Sequence, residues 1–186
     1  MSELLEIEND SLPIEIEYNE DQVHENLGAE YLGFDLQGET YCVDILSVKE
    51  IRGWTEPTAL PNSPKYVKGI INIRGDIVPI LDIRDRYGMK HKDYNKTTVI
   101  MILNIQEEKK SRVMGIVVDA VNDVLNIKPE EIKEAPKSGH KLNDENIEGL
   151  YNNKDKVYVI LSVMSLLDLA DIKKHYSKQF STEFSE

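Results

Sequence analysis

Apolar and polar residues alternate along most of this chain in short runs broken by glycine, asparagine and proline, a spacing that predicts strands and hairpins. Tyr31 to Leu36 (YLGFDL) alternates, Gln37-Gly38 marks a turn, and Thr40 to Leu46 (TYCVDIL) resumes the alternation as an antiparallel partner would. Ser47 to Ile51 (SVKEI) reads as a further short strand or one helical turn before Gly53 and Pro57 break regularity. Ser63-Pro64 predicts the cap and first residue of a short helix ending at Gly69. Ile70 to Ile73 and Ile77 to Leu81 form a second hairpin around Arg74-Gly75-Asp76, with Gly75 free to take positive φ.

Ile83 to Tyr87 reads as one helical turn closed by Gly88, followed by a polar link from His91 to Lys96. Thr98 to Ile105 and Arg112 to Val118 predict a third hairpin across the charged loop Glu107 to Ser111, and Val121 to Ile127 an extended piece. After a loop from Lys133 to Asn146, Ile147 to Asn152 and Lys156 to Leu161 pair across Asn153-Lys154-Asp155. Ser162 then caps an amphipathic helix with Val163, Leu166, Leu167 and Ala170 on one side.

The pattern repeats. Val43 to Ile51 (VDILSVKEI) resembles Ile116 to Val124 (IVVDAVNDV) at an offset of 73, and Ile77 to Ile83 resembles Val157 to Val163 at an offset of 80. Val67-Lys68-Gly69-Ile70 matches Ile147-Glu148-Gly149-Leu150 at that second offset. Two hairpins per unit, occurring twice, predict a mainly β fold of two small barrels of about five strands each, which leaves few sheet edges exposed. The alternative is one irregular β-sandwich with a terminal helix.

Charge divides the chain further. Nine of the 34 acidic residues lie in residues 1–28, which contain none of the 22 Lys and Arg. Such a leader buries too little apolar surface to offset its ordering entropy, so the expected organisation is a disordered acidic tail (1–28), a two-barrel domain (29–172) and a helix end with a frayed tail (173–186). A net charge of -12 without a basic stripe makes nucleic acid and anionic membrane poor partners. No apolar run is long enough to cross a membrane. The single cysteine, Cys42, sits in an apolar alternation and reads as a buried small side chain in a reducing compartment.

Chemistry is sparse. No nucleotide-binding, metalloprotease or nucleophile-elbow motif occurs, and His24, His91, His140 and His175 lack metal-ligand spacing. Asp82 and Asp85 are interleaved with Arg84 and Arg86, so a solvated salt-bridge face is expected rather than an acid/base pair. Asp44 and Asp119, inside apolar patterns, read as solvent-facing or locally satisfied. Arg74 at a hairpin tip presents its guanidinium outward, where a partner is one use for it. A strand that puts Val48 and Glu50 on one face has the mixed composition of an interface.

The segments YLGFDLQGETYCVDILSVKEIRG, LPNSPKYVKGIINIRGDIVPILDIRDRYG, VMGIVVDAVNDVLNI and VYVILSVMSLLD follow one another as in the CheW family, the coupling proteins of bacterial chemotaxis, which this sequence resembles from about Tyr31 to Leu169. The resemblance implies two intertwined five-stranded SH3-like barrels, with short helices and a C-terminal helix, and no catalysis; the residues themselves point to no cofactor and no metal. It implies a cytoplasmic adaptor, associated with membrane receptor arrays through its partners, that joins chemoreceptor cytoplasmic tips to the regulatory domain of the histidine kinase CheA. Matching motifs assign the receptor-facing groove to Val48 and Glu50 of VKEI, Gly69 of VKGI, Arg74 of NIRG, and Thr98 with Ile100; glycine would let the partner approach closely. Kinase contact is implied for the second barrel, with no residue carried over. The long acidic leader and the charged Glu107 to Arg112 hairpin depart from the family pattern. Rival readings are a CheW-like adaptor of another two-component pathway, a small barrel hydrolase using Asp82 and Asp85, and a nucleic-acid-binding barrel.

Overall fold

The computed structural model describes residues 28–107, 110–136, 142–154 and 156–167. Ten strands run β1 (Ala29–Leu36), β2 (Glu39–Asp44), β3 (Val48–Gly53), β4 (Val67–Ile73), β5 (Asp76–Asp82), β6 (Val99–Glu107), β7 (Lys110–Val118), β8 (Ala120–Ile127), β9 (Ile147–Asn153) and β10 (Lys156–Leu161). Two one-turn helices, α1 (Ile83–Arg86) and α2 (Val163–Leu166), follow β5 and β10.

The strands form two five-stranded sheets, ordered β8-β1-β2-β10-β9 and β3-β6-β7-β5-β4. Shifting every label of the first order by half the strands yields the second, so the internal repeat is real. Strand register confirms both offsets: Ile80 pairs with Gly115 across the parallel β5–β7 contact, and Ile160 pairs with Cys42 across β10–β2. The barrels do not coincide with the repeats. A central barrel holds β3 to β7, and a terminal barrel holds β1, β2 and β8 to β10, so each takes two strands from one unit and three from the other. Single bridges, Thr58 to Ile70 and Lys133 to Leu150, draw the edge of each sheet inward at equivalent places.

The apolar runs follow from this arrangement. In β6, Met101, Leu103 and Ile105 face a large core shared between the barrels, while Ile100 and Ile102 fill the interior of the central barrel. Both faces are covered, which is why VIMILNI reads as continuous apolar sequence. Leu32, Phe34, Leu36, Tyr41 and Val43 supply the terminal barrel's side of the shared core. Cys42 lies with Tyr158 and Ile160 inside the terminal barrel, fully buried, and burial pushes its thiol up to about 12. A small side chain there leaves room for Ile160, as Gly115 does for Ile80 in the other barrel.

Three local expectations change. Ser63-Pro64 starts no helix: Val67 N–H donates to the Pro64 carbonyl at 2.8 Å, closing a turn, and β4 begins at Val67 because that residue already pairs with Leu81. Gly69 is therefore inside a strand. Asp82 and Arg84 are buried rather than solvated. Ser162 occupies the N-cap of α2 without a side-chain bond to the helix, and Ala170 lies outside the described residues. The acidic leader to Leu27, His24, His140, His175 and the C-terminal tail also lie outside them.

Candidate functional site

Arg74 stands at the tip of the β4–β5 hairpin, in a two-residue turn whose central residues both have positive φ, 53° at Arg74 and 98° at Gly75. That is the hairpin turn whose twist matches paired strands, and it favours Asn-Gly in these places. The Asn72 side chain accepts from Gly75 N–H at 2.9 Å and stiffens the tip. Arg74 is exposed, so its planar fork of donors is held outward on a rigid element.

Strand β3 comes to the same end of the barrel. Lys49 Nζ lies 3.7 Å from the carboxylate of Asp76, at the base of the Arg74 tip. A β-bulge interrupts β3 here: Val48 stands opposite Leu103 and Glu50 opposite Ile102. Those two partners face different cores, so Val48 packs toward the shared core and Glu50 toward the other side. The expectation that Val48 and Glu50 share one face fails because the bulge inserts Lys49 between them. Glu50 instead shares its face with Arg52, 3.6 Å away at the closest charged atoms.

The remaining three assigned residues are buried. Thr98 hydroxyl accepts from Asn95 N–H at 3.0 Å while its carbonyl takes Trp54 N–H at 2.9 Å. Ile100 is fully enclosed in the central barrel opposite Arg52. Gly69 has φ +137°, and a Cβ built on it would stand 2.2 Å from the Thr58 carbonyl oxygen. The close approach that requires glycine is thus made by the chain's own closing segment. Gly149, its repeat counterpart, faces Ile132 and Lys133 in the same way. Gly69→Ala is expected to cost about 1–3 kcal/mol from backbone strain alone; urea unfolding would show it, and an unchanged midpoint would contradict the packing described.

At the other end of β5 lies a buried charge cluster in place of the solvated face that the sequence pattern predicts. Arg84 donates to both oxygens of Asp82, from Nε to Oδ1 at 3.0 Å and Nη2 to Oδ2 at 2.8 Å, and from Nη1 to Asp119 Oδ1 at 2.8 Å. Tyr94 Oη donates to Asp82 Oδ2 at 2.9 Å. Burial alone would raise the Asp82 carboxyl, but the Arg84 bonds and charge, with the Tyr94 bond, hold it below the usual carboxylate range. Asp119 Oδ2 accepts from Gln37 N–H at 2.9 Å, which ties the β1–β2 turn of the terminal barrel to the central barrel. Asp85, paired with Lys68, is likewise mostly buried. With Asp82 fully engaged, these carboxylates make a structural clasp. Among the described residues no group of three or more His, Cys, Asp or Glu is arranged to hold a metal ion. The one sequence signal for the clasp was Asp119 in an otherwise apolar pattern.

Known proteins agree with this architecture. The family model described as the CheW-like domain matches residues 30–171. A chemotaxis protein CheW of Klebsiella aerogenes is 39% identical over 143 residues, spanning 77% of this chain and 84% of that protein. A Bacillus subtilis chemotaxis protein CheW is 29% identical over 141 residues, covering 76% and 88%. The crystal structure of the scaffolding protein TtCheW from Thermoanaerobacter tengcongensis superposes with a TM-score of 0.69 at 28% identity, over 77% of this chain and 95% of that one. With the repeat, the intertwined barrels and the NIRG tip all in place, the chain belongs to the CheW family.

Proposed function

We propose that the chain is a non-enzymatic adaptor of chemotaxis signalling that couples chemoreceptor cytoplasmic tips to the histidine kinase CheA. The observation that supports it most is the Arg74 tip: an exposed guanidinium on a stiff turn, tied through Lys49 and Asp76 to the strand carrying Glu50. A long charged side chain in a left-handed conformation that suits asparagine better is not explained by the turn, and a contact role accounts for it. Receptor contact in this reading comes from Arg74 and Glu50, while Val48, turned to the opposite face of β3, anchors that strand on the shared core. Gly69, Thr98 and Ile100 act from beneath, setting where the backbone of that surface stands.

The kinase-facing surface belongs to the terminal barrel, whose equivalent hairpin tip carries Lys154 at φ 49° in place of Arg74. Different tips on equivalent hairpins suit different partners. An adaptor of this kind gains from effective concentration: each contact is weak alone, and the rigid double barrel makes the second binding event nearly intramolecular. Arrays, in this reading, recruit the chain through its partners.

Arg74→Asn tests the assignment better than alanine, because asparagine fits the turn. It is expected to leave the melting temperature within about 2 °C, as an exposed substitution does, while lowering affinity for a receptor cytoplasmic fragment about tenfold or more. Calorimetric titration with the fragment reads the second effect. Unchanged affinity would remove Arg74 from the contact surface.

A further inference from the structure

The two halves of the molecule differ where the repeat predicts sameness. At the offsets established by register, Asp119 corresponds to Leu46, Arg84 to Met164 and Asp82 to Ser162. One half therefore holds a buried ion cluster where the other holds apolar and hydroxyl side chains. Leu46 and Met164 are 87% and 56% exposed and line an open cleft of about 450 Å³. Strand order and register are the same on both sides, so the fold forms without the ion cluster. A buried ion pair is in any case weak evidence of stabilisation, since desolvation offsets its attraction. The cluster has another use.

Its contacts show where that use lies. The connector from α1 to β6 is fastened over the cluster: Tyr94 donates to Asp82, its ring lies 5.3 Å from the Arg84 guanidinium carbon, and Lys92 Nζ is 3.3 Å from Asp119. The Lys90 carbonyl accepts from the Gln37 side chain of the terminal barrel. On its other side Tyr94 stacks on Trp54, with ring centroids 3.8 Å apart, and Trp54 is the residue that follows β3. Trp54 N–H bonds the Thr98 carbonyl, and the Asn95 N–H bonds the Thr98 hydroxyl. An unbroken set of contacts thus runs from the barrel junction at Asp119 through Tyr94 to the end of β3.

We propose that Tyr94 is a positioning residue for receptor binding: it clamps the α1–β6 connector between the Asp82–Arg84–Asp119 cluster and Trp54, and so fixes β3 and Thr98 relative to the terminal barrel. The inference rests on the receptor surface proposed above. Tyr94 touches no partner in this scheme. Its effect is on the geometry of the residues that do, and it should separate the two partners, because the terminal barrel's Lys154 tip lies outside the clamp.

The test uses the full chain with Tyr94→Ala, Tyr94→Phe and Arg74→Asn, titrated separately with a purified chemoreceptor cytoplasmic fragment and with the CheA regulatory domain. Trp54, the only tryptophan, reports the clamp directly through acrylamide quenching. Tyr94→Ala is expected to expose Trp54 to quencher, to weaken receptor binding about tenfold and to leave kinase binding within about twofold. Tyr94→Phe keeps the stack and loses only the hydroxyl bond, so Trp54 stays protected and receptor affinity falls less. Tyr94→Ala with freely quenched Trp54 and receptor affinity within about twofold of the parent overturns the proposal. So does equal loss for both partners, which marks general destabilisation. If Arg74→Asn weakens receptor binding and Tyr94→Ala does not, this inference alone fails; if neither does, the receptor surface itself is misassigned.

Discussion

Replacing Arg84 with alanine is expected to destabilise the protein by about 3–5 kcal/mol, because it strands the buried carboxylates of Asp82 and Asp119 without their shared cation. The pH dependence identifies the cause. In the parent, the folded-state Asp82 carboxyl is held below its usual range, so its contribution is present at neutral pH and is lost as pH falls through that depressed value. In Arg84→Ala the burial remains and the cation is gone, so the folded-state carboxyl rises above its unfolded value. That variant carries its penalty at neutral pH and sheds it as the group protonates. The gap between parent and variant should therefore narrow steadily from pH 7 toward pH 3 in urea titrations. A gap independent of pH would mean that lost packing, not stranded charge, is responsible. The triple change Asp82→Ser, Arg84→Met, Asp119→Leu copies the residues at the equivalent positions of the other half. It is expected to recover part of the loss, since removing the carboxylates together with their cation leaves no stranded buried charge.

Ile80→Ala is expected to cost about 2–5 kcal/mol, the range for removing a large buried aliphatic side chain and leaving part of its volume empty. Ile80 is fully buried in the central barrel and pairs with Gly115, where a Cβ would stand 2.4 Å from Ile80 Cδ1. Large and small residues are matched across that parallel pair. Adding Gly115→Ala to Ile80→Ala should recover part of the loss, whereas Gly115→Ala alone should destabilise by overpacking. Non-additivity of that sign in a double-mutant cycle is the signature of direct contact; additive costs would contradict the packing.

Much of the architecture was legible because it rests on period and punctuation. Alternation and short glycine turns located nearly every strand, and the weak repeat at offsets of 73 and 80 carried the two-barrel fold. What period cannot show is which sheet a strand joins. The exchange that puts β3 in one barrel and β8 in the other depends on closure across the whole chain. The bulge in β3 was equally invisible, since SVKEI alternates acceptably in either register; only pairing with Leu103 and Ile102 reveals the slip. Ser63-Pro64 carried a helix-start signal that β4, pairing with Leu81 from Val67 onward, overrode.

The site divides in the same way. Arg74 was legible as an exposed tip because turn chemistry is local. The charge cluster was misread because IRDR looks solvated one residue at a time, and Asp119, which helps neutralise Arg84, is 35 positions away. Gly69 in sequence implies an opening for a close approach, and in the structure Thr58 of the same chain makes that approach.

At the centre of the proposed function, one rigid double barrel holds receptor and kinase together. Co-sedimentation of purified CheA with receptor-bearing membranes tests this directly, run with no adaptor, with the parent chain and with Arg74→Asn. Most of the kinase is expected to pellet only when the parent chain is present, and Arg74→Asn is expected to leave the kinase in the supernatant while still binding it in solution. Kinase that pellets equally without the chain, or a parent chain that stays behind when receptors and kinase pellet, would contradict it.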